Sequence, residues 1–303
     1  MKVFVAGGTG AIGRPSLRAL LDAGHSVTAM VRSKENAAFV GAMGAQPAHV
    51  SLFAKEELKS AIDGHDAVAN LASAIPPNSR FMNASAWEMN DRIRIEGASI
   101  LVDASIAAGV DRFVQESVVM LYADGGDRWL DESSLLDHYP MARGNHAAEA
   151  SARRFAEHCG TAVVLRFGWF YGPGAKHSEE FLELARSKGI VIQFGKASTY
   201  VSSTHVEDGG RAVAAALAVP SGTFNVCDDE PLTKKDYAGA NASAAGRTHF
   251  VRAPGRLAHL LGDKTTSLTR SVRASNALFK ISSGWTPTFA SAREGWQHMA
   301  KNI

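Results

Sequence analysis

The chain has 303 residues, of which 46% are hydrophobic and 20% are charged, and its formal net charge is +2. This is the balance of an ordinary globular protein, with enough chain for one large core or for a core and a smaller lobe. No block of lysine and arginine marks a nucleic-acid surface, and the apolar start of the chain is too short for a signal peptide or a membrane span. We therefore expect a cytoplasmic protein that binds neither nucleic acid nor membrane.

The first half of the chain alternates short apolar runs, rich in β-branched residues, with longer helical patterns. Strands are predicted at Lys2–Ala6, Ser26–Val31, Pro47–Val50, Asp66–Ala72, Phe113–Ser117 and Thr161–Phe167. Helices are predicted between them at Ala11–Ala23, Ser33–Met43, Lys55–Ile62, Ala84–Ala108 and His138–His158. Strands that alternate with helices of this length imply right-handed crossovers and a parallel, doubly wound sheet.

The second half of the chain is less regular and begins with a breaker cluster at Tyr171–Gly174. Two further helices are predicted at Glu179–Lys188 and Val206–Ala218, and strands near Ile190–Phe194, Thr199–Ser202 and Thr223–Val226. The last of these strands is expected to rejoin the main sheet. We predict an α/β fold: a Rossmann doubly wound parallel sheet with a small mixed α/β C-terminal substrate lobe. The Rossmann domain would comprise residues 1–171 and 203–228, and the lobe residues 172–202 and 229–303.

A glycine-rich segment, Gly7–Gly13, follows the first predicted strand and opens the first helix; we call it the glycine loop. In this spacing the first glycine permits a tight turn, the second lets the backbone approach a pyrophosphate, and the third lets helix and strand pack closely. The helix N-terminus then presents free N–H groups to the phosphates. A tight turn without a ligand is the alternative. The predicted cofactor contacts in the loop are Gly7, Thr9, Gly10, Ala11, Ile12 and Gly13.

The end of the second predicted strand indicates which dinucleotide is bound. An acidic residue there would bind the ribose 2′-hydroxyl of NAD, but the stretch from Met30 to Ser33 contains no carboxylate. Arg32 can instead grip a 2′-phosphate bidentately, with Lys34 nearby. We expect NADP, with NAD as the alternative, and the other interpretation of Arg32 is an ordinary surface arginine.

Four further segments carry family landmarks: Asp66–Ala72, Leu165–Gly174, His205–Asp208 and Gly284–Pro287. With the glycine loop they resemble the short-chain dehydrogenase/reductase superfamily, specifically its extended and atypical members of the epimerase/dehydratase type. The resemblance runs along most of the chain. It implies cofactor contacts from four more residues: Leu71, Ala72, Asn90 and Trp169.

The chemistry of that family uses a tyrosine as acid and base and a lysine four residues later. The resemblance places Tyr139 at the tyrosine and Arg143 at the lysine. On one helix face, a cation at that spacing would lower the phenol pKa, although an arginine cannot release a proton. The alternatives are a tyrosine that only packs its ring and an acid or base at the neighbouring His138.

The same family places a serine or threonine hydroxyl at the end of the fifth strand. In this chain that position falls on Val118, one residue after Ser117. Adjacent strand residues point to opposite faces, so Ser117 would orient a substrate oxygen only if the strand end bulges. We predict Ser117 as the third catalytic residue, and a serine that bonds the backbone is the alternative.

Two functions follow from these patterns. The first is an NADP(H)-dependent oxidoreductase, or an epimerase/dehydratase, that acts on a small polar carbonyl or alcohol. The second is a cofactor-binding sensor or regulator of the NmrA type without turnover, which would explain the missing lysine and the displaced serine. The Ser267–Asn276 segment and the closing helix resemble a substrate lid and favour the enzyme.

Cysteines and histidines indicate no metal site. Cys159 and Cys227 are far apart and fit a reducing compartment, and the 11 histidines are scattered without metal-binding spacing. The helices Ala84–Ala108 and His138–His158 are the pair that this superfamily uses for dimers, so a homodimer is an expectation from the resemblance.

Overall fold

The computed structural model describes residues 1–158, 160–255, 262 and 265–303; Cys159 lies outside them. The strands are β1 (Lys2–Ala6), β2 (Ser26–Val31), β3 (Gln46–His49), β4 (Ala67–Asn70), β5 (Arg112–Val118), β6 (Thr161–Phe167), β7 (Trp169–Tyr171), β8 (Ile190–Phe194), β9 (Tyr200–Val201), β10 (Ser203–His205), β11 (Gly222–Val226), β12 (Leu232–Thr233) and β13 (Val251–Gly255). The helices are α1 (Gly13–Asp22), α2 (Lys34–Ala42), α3 (Lys55–Ile62), α4 (Glu88–Arg92), α5 (Ala98–Ala107), α6 (Arg143–His158), α7 (Lys176–Lys188), α8 (Val206–Ala215), α9 (Lys234–Ala244), α10 (Thr266–Thr269), α11 (Ala277–Ser283) and α12 (Ala292–Lys301).

Seven parallel strands form the central sheet in the order β11-β6-β5-β4-β1-β2-β3. The Rossmann prediction is confirmed, including the return of the chain to the sheet, because Gly222–Val226 pairs with β6. The strand order reverses between β1 and β4, and ligands of such sheets bind where the carboxyl ends of the strands meet that reversal. The glycine loop follows β1 directly, so the fold places it at this edge.

Two apolar clusters cover the two faces of the sheet. Val3 and Val5 belong to the cluster that α1 and α8 complete, whereas Phe4 belongs to the cluster under α3, α5 and α6. This division follows from the alternation of side chains along a strand. Continuous apolar strands are therefore needed in a sheet that is covered on both sides.

One predicted helix is broken in the structure. Residues 84–108 form a short 3₁₀ turn, then α4, a π-helical turn at Ile93–Gly97, and α5. Arg94 in the π turn is 4% exposed, and its guanidinium lies 2.8 Å from a carboxylate oxygen of Glu116 in β5. Periodicity cannot reveal an insertion of this kind, because the apolar pattern continues through it.

The helix predicted at 138–158 begins later than expected. Tyr139 is extended (φ −104°, ψ 160°), Pro140–Ala142 form one 3₁₀ turn, and α6 starts at Arg143. A proline disfavours helical geometry at the residue before it, so Pro140 keeps Tyr139 outside the helix. This displacement changes which side chains can meet at the site.

The second half builds a smaller lobe around three helices. α9 packs against α7 and α12, and the short pairs β8–β13 and β9–β12 flank them. The predicted strand at 199–202 is observed only at Tyr200–Val201, which form β9, and β10 begins at Ser203 after a break at Ser202. Along the described residues, no helix combines the length and the apolar character needed to cross a bilayer.

Candidate active site

Two glycines of the glycine loop are required by the protein's own backbone. Gly7 has φ +85°, and a Cβ there would lie 2.5 Å from the carbonyl carbon and oxygen of Leu71. A Cβ on Gly13 would lie 2.1 Å from the carbonyl oxygen of Gly7. These contacts fold the loop tightly against the ends of β1 and β4, and any larger residue must displace main chain.

Gly10 is different, because nothing in the described protein fills the space in front of it. A Cβ at Gly10 would meet only the carbonyl oxygen of Gly7, at 3.4 Å, which is ordinary contact. Gly10 is exposed and lies three residues before Gly13, where α1 begins. The bare backbone therefore leaves an open cradle at a helix N-terminus, and this cradle fits a pyrophosphate. Gly10 and the neighbouring N–H groups of Ala11 and Ile12 would hold it.

Arg32 directly follows β2, which pairs in parallel with β1, so it lies at the same edge of the sheet as the glycine loop. Its side chain is exposed, and no ion pair links it to any residue of the described chain. A second arginine that the sequence analysis did not single out lies in the first turn of α1: the Arg14 guanidinium carbon is 4.7 Å from the centre of the Phe39 ring. An arginine on an aromatic face at the start of a helix has no sequence signature, since Phe39 is in the next helix.

The other predicted cofactor residues lie after β4, on α4 and on β7. Leu71 is buried against the Gly7 backbone, and Ala72 follows it. Asn90 is 4% exposed and its side-chain oxygen accepts a hydrogen bond from the Ala74 N–H at 3.2 Å, so it fixes the loop after β4. The ring of Trp169 packs edge-on against His177, with centroids 5.7 Å apart.

Tyr139 is buried, with its hydroxyl donating to the carbonyl oxygen of Met120 at 2.9 Å. The Arg270 guanidinium carbon lies 4.6 Å from the centre of its ring. Burial raises the pKa of Tyr139 to about 12, although the Arg270 charge acts in the opposite direction. The phenol therefore keeps its proton at neutral pH.

The structure does not place Arg143 beside this phenol, and that expectation is corrected. The Arg143 side chain is 68% exposed, and its guanidinium pairs with Asp91 at 2.5 Å. Residues four apart share a face only when both are in the helix, and Tyr139 is extended while Arg143 begins α6. The cation at the tyrosine is Arg270, which comes from the lobe.

Ser117 also lies away from Tyr139. It is fully buried, and its hydroxyl donates to Glu149 on α6 at 2.7 Å. The next residue, Val118, packs into the small apolar cluster that contains Tyr139 and Leu121. Because β5 keeps its alternation to the end, the side turned towards Tyr139 carries no hydroxyl.

A buried polar network explains where the Ser117 hydroxyl is used. Arg166 donates to both carboxylate oxygens of Glu149, at 2.8 and 2.7 Å, and to the hydroxyl of Tyr122 at 3.1 Å. Tyr122 in turn donates to the side-chain oxygen of Asn225 at 2.8 Å. This network links α6, β5, β6 and β11 beneath the site, so its role is to hold the strand ends together.

A small cavity of about 30 Å³ lies near Tyr139, between the end of β5 and the smaller lobe. Met120, whose carbonyl binds the Tyr139 hydroxyl, forms part of its wall. The lining residues are Val119, Met120, Trp169, Tyr200, Val201, Ser202, Lys234, Ser267, Leu268, Arg270 and Val272. We call this the lobe cavity.

Two cations of the lobe cavity were missed by sequence reasoning. Lys234 is 7% exposed and its amine donates to the carbonyl oxygens of Leu268 (2.7 Å) and Arg270 (2.8 Å). Burial lowers the pKa of Lys234 to about 7. A single lysine at the start of α9 and a single arginine after α10 form no motif, and only the fold brings them to the end of β5.

Comparison with known proteins now identifies the family. A family model described as NAD(P)H-binding matches residues 7–183, which is more than half of the chain. A reductase from Streptomyces sp., named 3-diazoavenalumate denitrifying reductase, is 32% identical over 97% of this chain and 99% of its own length. The chain belongs to this NAD(P)H-binding family.

Another relative and two solved structures are similar to this chain. A protein from Stigmatella aurantiaca, named as a ketoreductase of a dihydroquinoline-1-oxide, is 34% identical over 78% of this chain and 71% of its own length. The solved structure of a human epimerase family protein with NADPH superposes with a TM-score of 0.83, covers 100% of both chains and is 22% identical. The UDP-glucose 4-epimerase of Thermus thermophilus with NAD gives a TM-score of 0.81 at 23% identity, over 99% of this chain and 98% of that one. These structures share the fold, while the reductase names come from the closer sequences.

Proposed function

We propose that the protein is an NADP(H)-dependent reductase of a small carbonyl compound. The observation that carries this proposal is the protonated phenol of Tyr139, which donates to the carbonyl oxygen of Met120 in the wall of the lobe cavity, at the same sheet edge as the open cradle of Gly10. The relatives named as reductases, one of them a ketoreductase, support reduction over epimerisation.

When bound, the dinucleotide supplies a hydride to the substrate carbon. The residues of this chain donate the proton and position the substrate. A carbonyl oxygen that replaces the Met120 carbonyl would accept the hydrogen bond of the Tyr139 hydroxyl, and the proton moves along it as the carbon is reduced. The Arg270 charge over the ring stabilises the phenolate that remains. Hydride and proton together convert the carbonyl to an alcohol, and the phenolate recovers its proton from water.

Exchange of the Tyr139 hydroxyl for hydrogen tests this assignment. We expect Tyr139→Phe to lower NADPH oxidation with a panel of aldehydes and ketones by about 10²-fold or more, the usual range for a lost acid. Tyr237→Phe is the matched control, because that tyrosine is partly buried in the lobe against Tyr171 and Trp296, outside the lobe cavity. Turnover that Tyr139→Phe leaves unchanged would contradict the proposal.

Arg32 supports the choice of NADP over NAD. A guanidinium after β2, free of ion pairs within the described chain, is suited to a 2′-phosphate. We expect Arg32→Ala to raise the dissociation constant of NADPH at least about tenfold more than that of NADH. Arg18→Ala, an exposed arginine on α1, is the control. Equal losses of affinity for NADPH and NADH would contradict the assignment of NADP as the cofactor.

The sensor alternative is not favoured by the relatives, since the Streptomyces relative that spans the whole chain is named as a reductase. Tight NADPH binding with no oxidation across aldehydes, ketones and nucleotide sugars would revive it. In that outcome there is no activity for Tyr139→Phe to lower, and only the assignment of the cofactor site would be supported.

A further inference from the structure

Lys234, in the first turn of α9, is a buried cation whose charge no carboxylate balances. It is 7% exposed, yet among the described residues no aspartate or glutamate lies within ion-pair distance of its amine. Asp124 acts on it only through its charge, from beyond that distance. Lysine is rarely buried unless it is paired, because desolvation of its charge is costly. Packing alone therefore does not explain an amine at this position.

The amine of Lys234 has one donor left for the lobe cavity. An ammonium group carries three N–H bonds, and the carbonyl oxygens of Leu268 and Arg270 accept two of them, at 2.7 and 2.8 Å. Within the described chain no acceptor takes the third, and Lys234 is part of the cavity lining. The third N–H bond is therefore available to the cavity.

The hydroxyl of Tyr139 is connected to the same cavity through its two partners. It donates to the carbonyl oxygen of Met120 at 2.9 Å, and a hydrogen bond from the Ser267 side chain opposes the effect of burial on the pKa of Tyr139. Met120 and Ser267 both line the cavity. Ser267 directly precedes Leu268, whose carbonyl oxygen binds the Lys234 amine. The phenol and the amine are therefore linked by the lining of one cavity.

The lobe cavity has the size of a single water molecule. Its volume of about 30 Å³ equals the volume that one molecule takes in liquid water. A buried water needs about two to four polar partners, and the lining contains the Lys234 amine as a donor and the Ser267 hydroxyl as a donor and acceptor. One water molecule in the cavity can therefore bridge the amine to the serine that contacts the phenol.

We infer that Lys234 returns to Tyr139 the proton that the phenol gives to the substrate, through one water molecule of the lobe cavity and the hydroxyl of Ser267. This inference rests on the proposed function, because it requires a phenolate at Tyr139, and it specifies the route by which that phenolate recovers its proton. Lys234 acts on the reaction only through Ser267 and Tyr139. We call the three side chains and the water the proton relay.

Every transfer in the proton relay breaks one bond to hydrogen and forms another. After Tyr139 has given its proton to the oxygen of the reduced carbonyl, the Ser267 hydroxyl donates its proton to the phenolate. The water molecule then donates to the Ser267 oxygen, and the Lys234 ammonium donates to the water. The amine that remains takes a proton from bulk water before the next turnover. The net change is one proton taken from solvent for each carbonyl reduced, and no further reactant is needed.

The pH dependence of the proton relay has a definite sign. Burial lowers the pKa of Lys234 to about 7, so the amine has a proton to give below that pH and lacks one above it. Turnover through the relay therefore falls as the pH rises above about 7. The other titratable and charged groups around the relay are Asp124, Asp137, Tyr139, Tyr200, Arg270 and Arg273. They keep one charge state between about pH 6 and pH 9, because carboxyl, phenol and guanidinium groups ionise outside that range.

The test is the pH profile of kcat for NADPH oxidation, with 4-nitrobenzaldehyde as the probe carbonyl and both reactants at saturation. In the parent protein we expect kcat to fall at least about tenfold from about pH 6 to about pH 9. At about pH 6, Lys234→Met should lower kcat at least about fivefold and should abolish this fall with pH, while KM and the NADPH dissociation constant stay within about twofold. Lys235→Met, an exposed lysine in the same turn of α9, is the matched control.

Two further variants distinguish proton transfer from charge and from packing. Lys234→Arg keeps a positive charge that cannot give up its proton, so it should show the low, flat profile of Lys234→Met. Ser267→Ala interrupts the proton relay beside Tyr139 and should also give a flat profile. Its control is Thr266→Ala, the neighbouring residue of α10, which does not line the cavity. If Lys234→Met does not fold, Ser267→Ala decides.

The outcomes for the proton relay and for the proposed function can be told apart. A parent profile that is flat from about pH 6 to about pH 9, or a fall with pH that persists in Lys234→Met, overturns the relay while reduction stands. A parent-like profile in Lys234→Arg overturns it as well, because charge alone would then suffice. Without cofactor, the NMR shift of the Lys234 ε-carbon should titrate near pH 7, and titration near the ordinary lysine value of about 10.4 overturns the relay. The absence of NADPH oxidation with every carbonyl tested contradicts the proposed function, and the relay with it.

Discussion

The glycine loop and the lobe cavity are built in different ways. At the glycine loop, Gly7 and Gly13 have another residue's main chain where a Cβ would be, so a few consecutive residues determine the shape. At the lobe cavity, Tyr139, Lys234 and Arg270 come from three distant segments and meet only through packing. The glycine loop depends on the absence of side chains, whereas the lobe cavity depends on networks of side chains that hold distant elements in place.

The largest expected effect comes from breaking the buried polar network beneath the site. Glu149→Leu leaves the Arg166 guanidinium buried without its partner, and we expect the free energy of unfolding in urea to fall by about 3–5 kcal/mol. Glu157→Leu, at an exposed position of the same helix, should stay within about 0.5 kcal/mol. A loss at Glu149 no larger than at Glu157 would show that the network beneath the site does not hold the strand ends.

In the glycine loop, two glycine variants distinguish an effect on stability from an effect on NADPH binding. Gly13→Ala forces a Cβ onto the Gly7 carbonyl, so we expect a loss of about 1–3 kcal/mol in unfolding free energy together with the loss of NADPH binding. Gly10→Ala has room within the protein and should keep its stability while NADPH binds about tenfold or more weakly.

Gly41→Ala is the control for both glycine variants, because this helical glycine has open space around its Cβ position and alanine favours helix by about 0.5–1 kcal/mol. Equal NADPH affinities for Gly10→Ala and the parent would contradict the cradle.

Sequence reasoning succeeded where structure depends on neighbours along the chain. It predicted β1, β2, β6, β8 and α3 with their observed bounds, because apolar runs and breakers are local signals. It failed where Pro140 moved Tyr139 out of the helix, since the family spacing suggested a shared face with Arg143. It could not find Arg270 or Lys234, whose positions depend on how the lobe packs on the sheet.

Ser117→Ala tests whether the sequence also wrongly predicted a catalytic role for the Ser117 hydroxyl. The variant removes one of the hydrogen bonds to Glu149, and we expect unfolding free energy to fall by about 1–2 kcal/mol with NADPH oxidation within about twofold of the parent. Ser151→Ala, a serine of α6 that bonds its own helix backbone, is the control for stability. A loss of NADPH oxidation without a loss of unfolding free energy would instead support Ser117 as a catalytic residue.

Arg143→Ala gives the smallest expected effect and the sharpest contrast with Arg270. The Arg143 side chain is 68% exposed, so its pair with Asp91 contributes about 0–1 kcal/mol, and salt screens it further. NADPH oxidation and its pH profile should stay those of the parent, because this charge does not reach the Tyr139 ring. Arg270→Met removes the cation that does, and should lower turnover more than it alters NADPH affinity. If Arg143→Ala moves the alkaline limb of the pH profile and Arg270→Met does not, the cation at the tyrosine is the one that the family spacing predicts, and the assignment to the lobe is wrong.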